Sequence, residues 1–190
     1  SPYDEFAAIH QYDFEHDMSA LGVRRPDHEP RAHQHIGDVV RLAQALLDRG
    51  AAYEVAGTVY FRGQSVLRDC GLSESAGLAA LQEFGEDPLD SAKEHPGDVP
   101  VWRASRASDP AWPSPWGQGR PGWHAECSAM VLSTYGASVD IHAGGADLAF
   151  PHHAYEAAQA EAATGVRPFA RAWMRVGTVR IGGEKMAKST

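Results

Sequence analysis

The segment Pro151-His152-His153-Ala154-Tyr155-Glu156 sets an imidazole and a carboxylate four residues apart. On a helix that spacing projects both from one face with Cβ atoms about 6 Å apart, close enough to share one metal ion. The same pair is an ordinary feature of a solvated helix face, so the spacing alone selects neither reading. Cys127, within Gly122-Trp123-His124-Ala125-Glu126-Cys127-Ser128, adds a third type of donor. It falls near the start of an expected helix, where the N-terminal dipole favours thiolate; the alternative for a cysteine there is a small buried apolar residue. Cys127, His152 and Glu156 together would give zinc three protein ligands and leave one tetrahedral position for another protein group or a substrate. Zinc prefers thiolate, so an open site of this kind would favour a thiol-bearing substrate over one carrying a hydroxyl. Cys70 is the only candidate within the chain for a fourth thiolate.

The second chemical feature is Gly182-Gly183-Glu184-Lys185-Met186-Ala187-Lys188-Ser189. Lys185 and Lys188 flank small residues in a loop, and two such cations could neutralise a triphosphate as charge develops in phosphoryl or adenylyl transfer. Exposed lysine pairs are also common on protein surfaces, so this feature is weak when taken alone.

These groups need elements to hold them. Apolar residues recur at Phe6, Ile9, Phe14, Met18 and Leu21, which predicts an amphipathic helix from Asp4 to Leu21 closed by Gly22. A second helix is expected from His33 to Arg49, with Ile36, Val39, Val40, Ala43, Leu46 and Leu47 on one face and Gly50 at its end. Ala52 to Val55 and Thr58 to Phe61 flank Ala56-Gly57 as a short hairpin, and a weak helix is expected from Leu78 to Phe84. Seven prolines between Gly85 and Gly122 predict a largely irregular connection. Beyond it the pattern reads helix (Ala125 to Tyr135), strand (Val139 to His142), helix (Pro151 to Thr164) and strand (Trp173 to Val176). That order is α/β and predicts a parallel sheet whose ligands sit at the strand ends, where Gly144-Gly145 follows the strand ending at His142.

Composition bounds the partners. The chain has 190 residues, 43% hydrophobic and 22% charged, as an ordinary folded protein does. A formal charge of −8 is the wrong sign for holding nucleic acid by phosphate neutralisation alone. No apolar stretch approaches the roughly 20 residues a membrane helix needs, and no signal pattern opens the chain, so a cytoplasmic location is expected. Two cysteines make no disulfide framework, and ten histidines strengthen the metal reading.

The chain resembles the cysteinyl-tRNA synthetases of the class I nucleotide-binding fold. The resemblance runs through Glu29-Pro30-Arg31-Ala32, Trp112-Pro113-Ser114-Pro115-Trp116-Gly117, Gly119-Arg120-Pro121-Gly122-Trp123-His124, Glu126-Cys127-Ser128-Ala129-Met130, Asp140-Ile141-His142, Gly144-Gly145 with Asp147-Leu148, Phe150-Pro151-His152-His153 and the lysine loop. It implies an α/β fold: part of a class I Rossmann-like parallel sheet with helices, interrupted by a connective α+β insertion. Residues 1–24 would be the last helix of the first half of the catalytic domain, 25–100 the insertion and 101–190 the second half.

The resemblance further implies that Cys127, His152 and Glu156 bind one Zn2+, with a fourth cysteine in a segment preceding Ser1. Trp123 and His142 would line the pocket for the substrate cysteine. Gly144, Gly145, Ala146 and Asp147 would approach the adenosine of Mg2+-bound ATP, and Lys185 and Lys188 would hold its phosphates. Ala187 stands where the family's loop usually carries serine, which removes one hydroxyl donor and keeps both charges. A His-Ile-Gly-His strand of the family is expected upstream, so the chain reads as an incomplete catalytic core. The implied reaction is ATP-driven formation of cysteinyl-adenylate by a monomer, then transfer to tRNA(Cys), which would be held mainly by other regions. Two alternatives stand beside it. Val101-Trp102-Arg103-Ala104 and Phe169-Ala170-Arg171 resemble the mycothiol-pathway ligase, which joins cysteine to an amino-sugar; a degenerate paralogue could instead keep a zinc or thiol site without catalysis.

Overall fold

The computed structural model describes residues 2–107 and 109–186. Lys188 and Ala187, both named above, lie outside the described residues. Helix α1 (Pro2–Ala20) is followed by an extended segment and a 3-10 turn (Ala32–Gln34), then α2 (Ile36–Asp48). The apolar face of α2 is buried at Val39, Leu42, Ala43 and Leu46, as a 3.6-residue period requires. The helix expected from His33 is thus split at His35, whose Nδ1 lies 2.8 Å from the Asp38 carboxylate. Strands β1 (Ala52–Val55) and β2 (Thr58–Phe61) form the expected hairpin, with Ala56 and Gly57 both at positive φ in the turn. Two short helices follow, α3 (Gln64–Asp69) and α4 (Glu74–Glu83). The latter begins four residues before the expected Leu78, because the Ser73 side chain caps it by accepting from the Ala76 amide.

The proline-rich stretch is not the irregular connection that its composition suggests. It folds into β3 (Val99–Ala104), β4 (Trp112–Ser114) and β5 (Gly117–Pro121), which complete a five-stranded antiparallel sheet in the order β1-β2-β3-β5-β4. Each strand proline occupies a place where a missing amide is tolerated. Pro113 is in the edge strand β4, Pro121 ends β5, and Pro100 sits opposite Tyr60 where the β2–β3 register shifts. Turn composition alone could not reveal this, since those positions depend on which strands become neighbours.

Helix α5 (Trp123–Tyr135), strand β6 (Val139–Gly145), helix α6 (Ala154–Thr164) and strand β7 (Ala170–Val176) give the second layer. Strands β6 and β7 pair in parallel from Val139↔Ala170 to Gly145↔Val176, joined through α6 as the α/β alternation predicts. The expected helix start at Pro151 is displaced to Ala154, because Ala149–His153 make a wider π-type turn with Phe150 extended (φ −139°, ψ 136°). The chain closes on a small hairpin, β8 (Arg180–Ile181) with β9 (Glu184–Lys185).

One core joins both layers: Leu46 of α2, Val59 of β2, Trp102 of β3, Ala129 of α5 and Tyr155 of α6 pack in the same buried cluster. Helix α1 contributes nothing to it. Its Phe6, Ile9, Tyr12 and Phe14 are all exposed, so the expected helix is present while these side chains stay outside the buried core. No described helix is long and apolar enough to cross a membrane. Leu46 is fully buried beneath the sheet. Leu46→Ala should therefore lower the unfolding free energy by about 2–5 kcal/mol, read as a fall in the urea midpoint without a change in slope.

Candidate catalytic and metal centre

The centre is built where α5, α6 and the carboxyl end of β6 meet. Glu156, in the first turn of α6, has no solvent exposure, and neither of its carboxylate oxygens has a hydrogen-bond partner. Its backbone is fixed from α5: the Ser128 hydroxyl lies 3.0 Å from the Glu156 carbonyl and 3.1 Å from that of His124. His142 of β6 brings Nε2 to 3.2 Å from Oε2, a close approach that is not aligned as a hydrogen bond. Among the described residues, His142, His153 and Glu156 form the group whose potential ligand atoms all lie within 4.8 Å of one another.

The sequence-derived set is distributed differently around this carboxylate. Cys127 lies in the second turn of α5 and is not in that tight group. Its thiol is pushed up to about 12, first by burial and then by the nearby Glu156 and Glu126 carboxylates. This reverses the expected dipole effect, which fades beyond the first helical turn and here opposes two negative charges. His152 turns toward His124, Nδ1 to Nδ1 at 2.9 Å, and its ring stacks on Trp123 with centroids 4.5 Å apart. Burial lowers the His152 pKa, and it takes the buried His124 down to about 3, so both rings are neutral and one donates while the other accepts. Trp123 is half exposed, stacks on Phe84 as well, and offers an aromatic wall beside the centre.

His153, read from sequence as either a participant or a helix-surface residue, is buried. Its Nδ1 contacts the Arg175 guanidinium, and burial followed by that charge takes its pKa down to about 4. Gly144 makes room for it: a Cβ there would lie 2.5 Å from His153 Cε1. At Gly145 a Cβ would lie 2.3 Å from the Asp147 carboxylate. The glycine pair thus lets the strand end approach an imidazole and a turn carboxylate closely. Lys185 reaches this turn and pairs with Asp147 at 2.5 Å. Trp173 carries Arg175 over its face at 4.5 Å and meets His142 edge to face. Sequence reading had not singled out Arg175, Trp173 or Phe84, since none belongs to a spacing pattern. Cys70 is elsewhere, its thiol donating to the Leu67 carbonyl.

A buried carboxylate with neither oxygen hydrogen-bonded is among the costliest arrangements in a protein interior, and a bound cation relieves it. With thiol, imidazole and carboxylate donors around it, the residues present fit a zinc ion.

The buried His124 gives the fold a pH dependence of definite sign. Its folded pKa of about 3 lies below the ordinary 6.5, so the unfolded chain takes up a proton first and stability falls as pH drops through 6.5 toward 3. The slope should reach about 1.4 kcal/mol per pH unit, and His124→Gln should flatten it in urea titrations between pH 7 and pH 5. In chelator-treated protein at pH 8, Cys127 should be alkylated by iodoacetamide about a thousandfold more slowly than a free thiol, followed by mass spectrometry.

The whole chain, residues 1–190, matches the family described as tRNA synthetases class I (C) catalytic domain. It is 47% identical to the cysteine–tRNA ligase of Chromohalobacter salexigens over 184 residues, which is 96% of this chain and 38% of that protein. It is 49% identical to that of Alkalilimnicola ehrlichii over 174 residues (91% and 37%) and 47% identical to that of Aquifex aeolicus over 173 residues (91% and 34%). The chain thus spans little more than a third of the length of these relatives. On the match along its whole length, the chain belongs to the class I (C) tRNA synthetase catalytic domain family.

Proposed function

We propose that this chain serves in activating cysteine with ATP and passing it to tRNA(Cys), as the second part of a longer catalytic domain. The observation that carries the reading is the buried Glu156 carboxylate, neither oxygen hydrogen-bonded, against His142 of the parallel strand β6, with Cys127 nearby and His152 in the preceding turn. Relatives named as cysteine–tRNA ligases support tRNA over an amino-sugar as the acceptor. In this reading residues 1–24 end the first half, 25–100 form the insertion and 101–190 the second half. The five-stranded sheet then ties insertion and second half together.

Cys127, His152 and Glu156 would hold zinc, with His142 in contact with Glu156. Bound zinc supplies an acceptor for the substrate sulfur as thiolate, which distinguishes cysteine from serine. The chain's own groups do the rest. Trp123 and His142 wall the amino-acid pocket, one through a half-exposed ring face and the other through an imidazole braced by Trp173. Gly144, Gly145, Ala146 and Asp147 form the turn that receives adenosine at the strand end, the usual ligand position of α/β sheets. In the activation step a carboxylate oxygen of cysteine attacks the α-phosphorus of Mg2+-bound ATP, the bond to the β-phosphate breaks, and pyrophosphate leaves with the electron pair. Lys185, with Lys188 of the same loop, is suited to stabilise that departing charge. Its exposed bond to Asp147 is worth only about 0–1 kcal/mol, so a triphosphate can displace the carboxylate and draw the loop over itself.

The reading is tested on the full-length protein by metal analysis and cysteine-dependent ATP–pyrophosphate exchange. One zinc per chain is expected in the parent, a fall of at least about tenfold in zinc affinity in Glu156→Gln, and exchange with cysteine far above that with serine. Comparable exchange for the two amino acids, or absence of zinc after reconstitution, would overturn it.

A further inference from the structure

The side chain next to Glu156 points away from the centre and into the inserted sheet. Tyr155 is fully buried, and its hydroxyl donates to the Gly97 carbonyl at 2.6 Å. Its ring stacks on His124, centroids 5.4 Å apart and planes at 19°, and His124 in turn bonds His152. One side chain therefore touches both His124, which bonds His152 of the centre, and a loop of the insertion.

That loop is itself pinned. Asp98 is buried and accepts from the Gly63 amide at 2.8 Å, from the His95 amide at 3.0 Å and from the Tyr53 hydroxyl at 2.7 Å. Tyr53 belongs to β1, and its hydroxyl also accepts from the Glu94 amide at 2.7 Å. The packing leaves no slack: a Cβ at Gly63 would lie 2.0 Å from the Gly97 oxygen and 2.7 Å from Tyr155 Cε1. A buried carboxylate with three donors is a rigid anchor, since breaking any one bond leaves a charge under-solvated. The first turn of α6 is thus tied through Tyr155 and Gly97 to Asp98 and the β1–β2 hairpin.

We propose that Tyr155 is a positioning residue: its hydroxyl bond to Gly97, together with its stacking on His124, fixes the turn bearing His152 and Glu156, so that metal affinity at the centre depends on hydrogen bonds made in the inserted sheet. The proposal rests on the reading of Glu156 as a metal ligand. Groups that orient a ligand commonly change affinity by about 10–100-fold when removed, and a backbone anchor one residue away acts in the same manner.

Tyr155→Phe keeps the ring and deletes only the hydroxyl. In the full-length protein, Co2+ titration with its visible d–d bands should show affinity reduced about tenfold and a changed band shape. Tyr53→Phe, which leaves α6 untouched, should weaken Co2+ binding in the same direction by a smaller factor, and it carries the test if Tyr155→Phe does not fold. Tyr60→Phe is the control: it deletes a hydroxyl in the same sheet that donates to Asp90 at 2.7 Å and not to the Asp98 loop. It should lower the urea midpoint and leave Co2+ affinity unchanged. Parent-level affinity in both Tyr155→Phe and Tyr53→Phe, with Co2+ bound by the parent, overturns the proposal alone. Failure of the parent protein to bind Co2+ overturns the metal reading and this proposal together. Loss of affinity in Tyr60→Phe equal to that in the other two overturns it as well, since the effect would then follow stability rather than the anchor.

Discussion

The organisation of the centre turns on one buried carboxylate. Glu156 is buried with no hydrogen bond to either carboxylate oxygen, a condition that a protein tolerates only where something else supplies positive charge. The His142 imidazole stands 3.2 Å away without hydrogen-bond alignment, and the other polar groups nearby turn elsewhere. Ser128 spends its hydroxyl on backbone carbonyls, His152 turns to His124, and His153 faces Arg175. Burial lowers the pKa of His124, His152 and His153 around it.

That constraint explains why two otherwise separate architectures are fused. The parallel pair β6–β7 with α6 places donors at a strand end, and the antiparallel five-stranded sheet supplies the mass against which α5 and α6 pack. A two-stranded parallel pair has little stability of its own. Trp102 of the antiparallel sheet and Tyr155 of α6 share one core, so the layer bearing Glu156 is held by the antiparallel layer. Ile141, Met174 and Val176 on the parallel pair, like Phe6, Ile9 and Phe14 of α1, are exposed among the described residues.

The packing at the end of β6 follows the same principle of close approach. Gly144 and Gly145 are glycines because an imidazole and a carboxylate occupy the space a side chain would need. The Lys185–Asp147 pair keeps the loop against that turn through an exposed and therefore exchangeable contact.

The linear sequence by itself determined the helices with a full 3.6-residue period, the hairpin at Ala56-Gly57, the α/β alternation after Gly122 and the family. These rest on neighbours a few residues apart, or on motifs whose order survives without coordinates. Cys127, His152 and Glu156 stood out as candidate donors from their types and spacing. Only the tertiary structure decided that His142 and His153 stand in the tightest group with Glu156, that Cys127 carries a raised rather than a lowered thiol pKa, and that the proline-rich stretch is sheet. The reason is the same in each case. Burial, opposing charge and strand pairing are properties of residues brought together from distant parts of the chain, and no local pattern encodes who those neighbours will be.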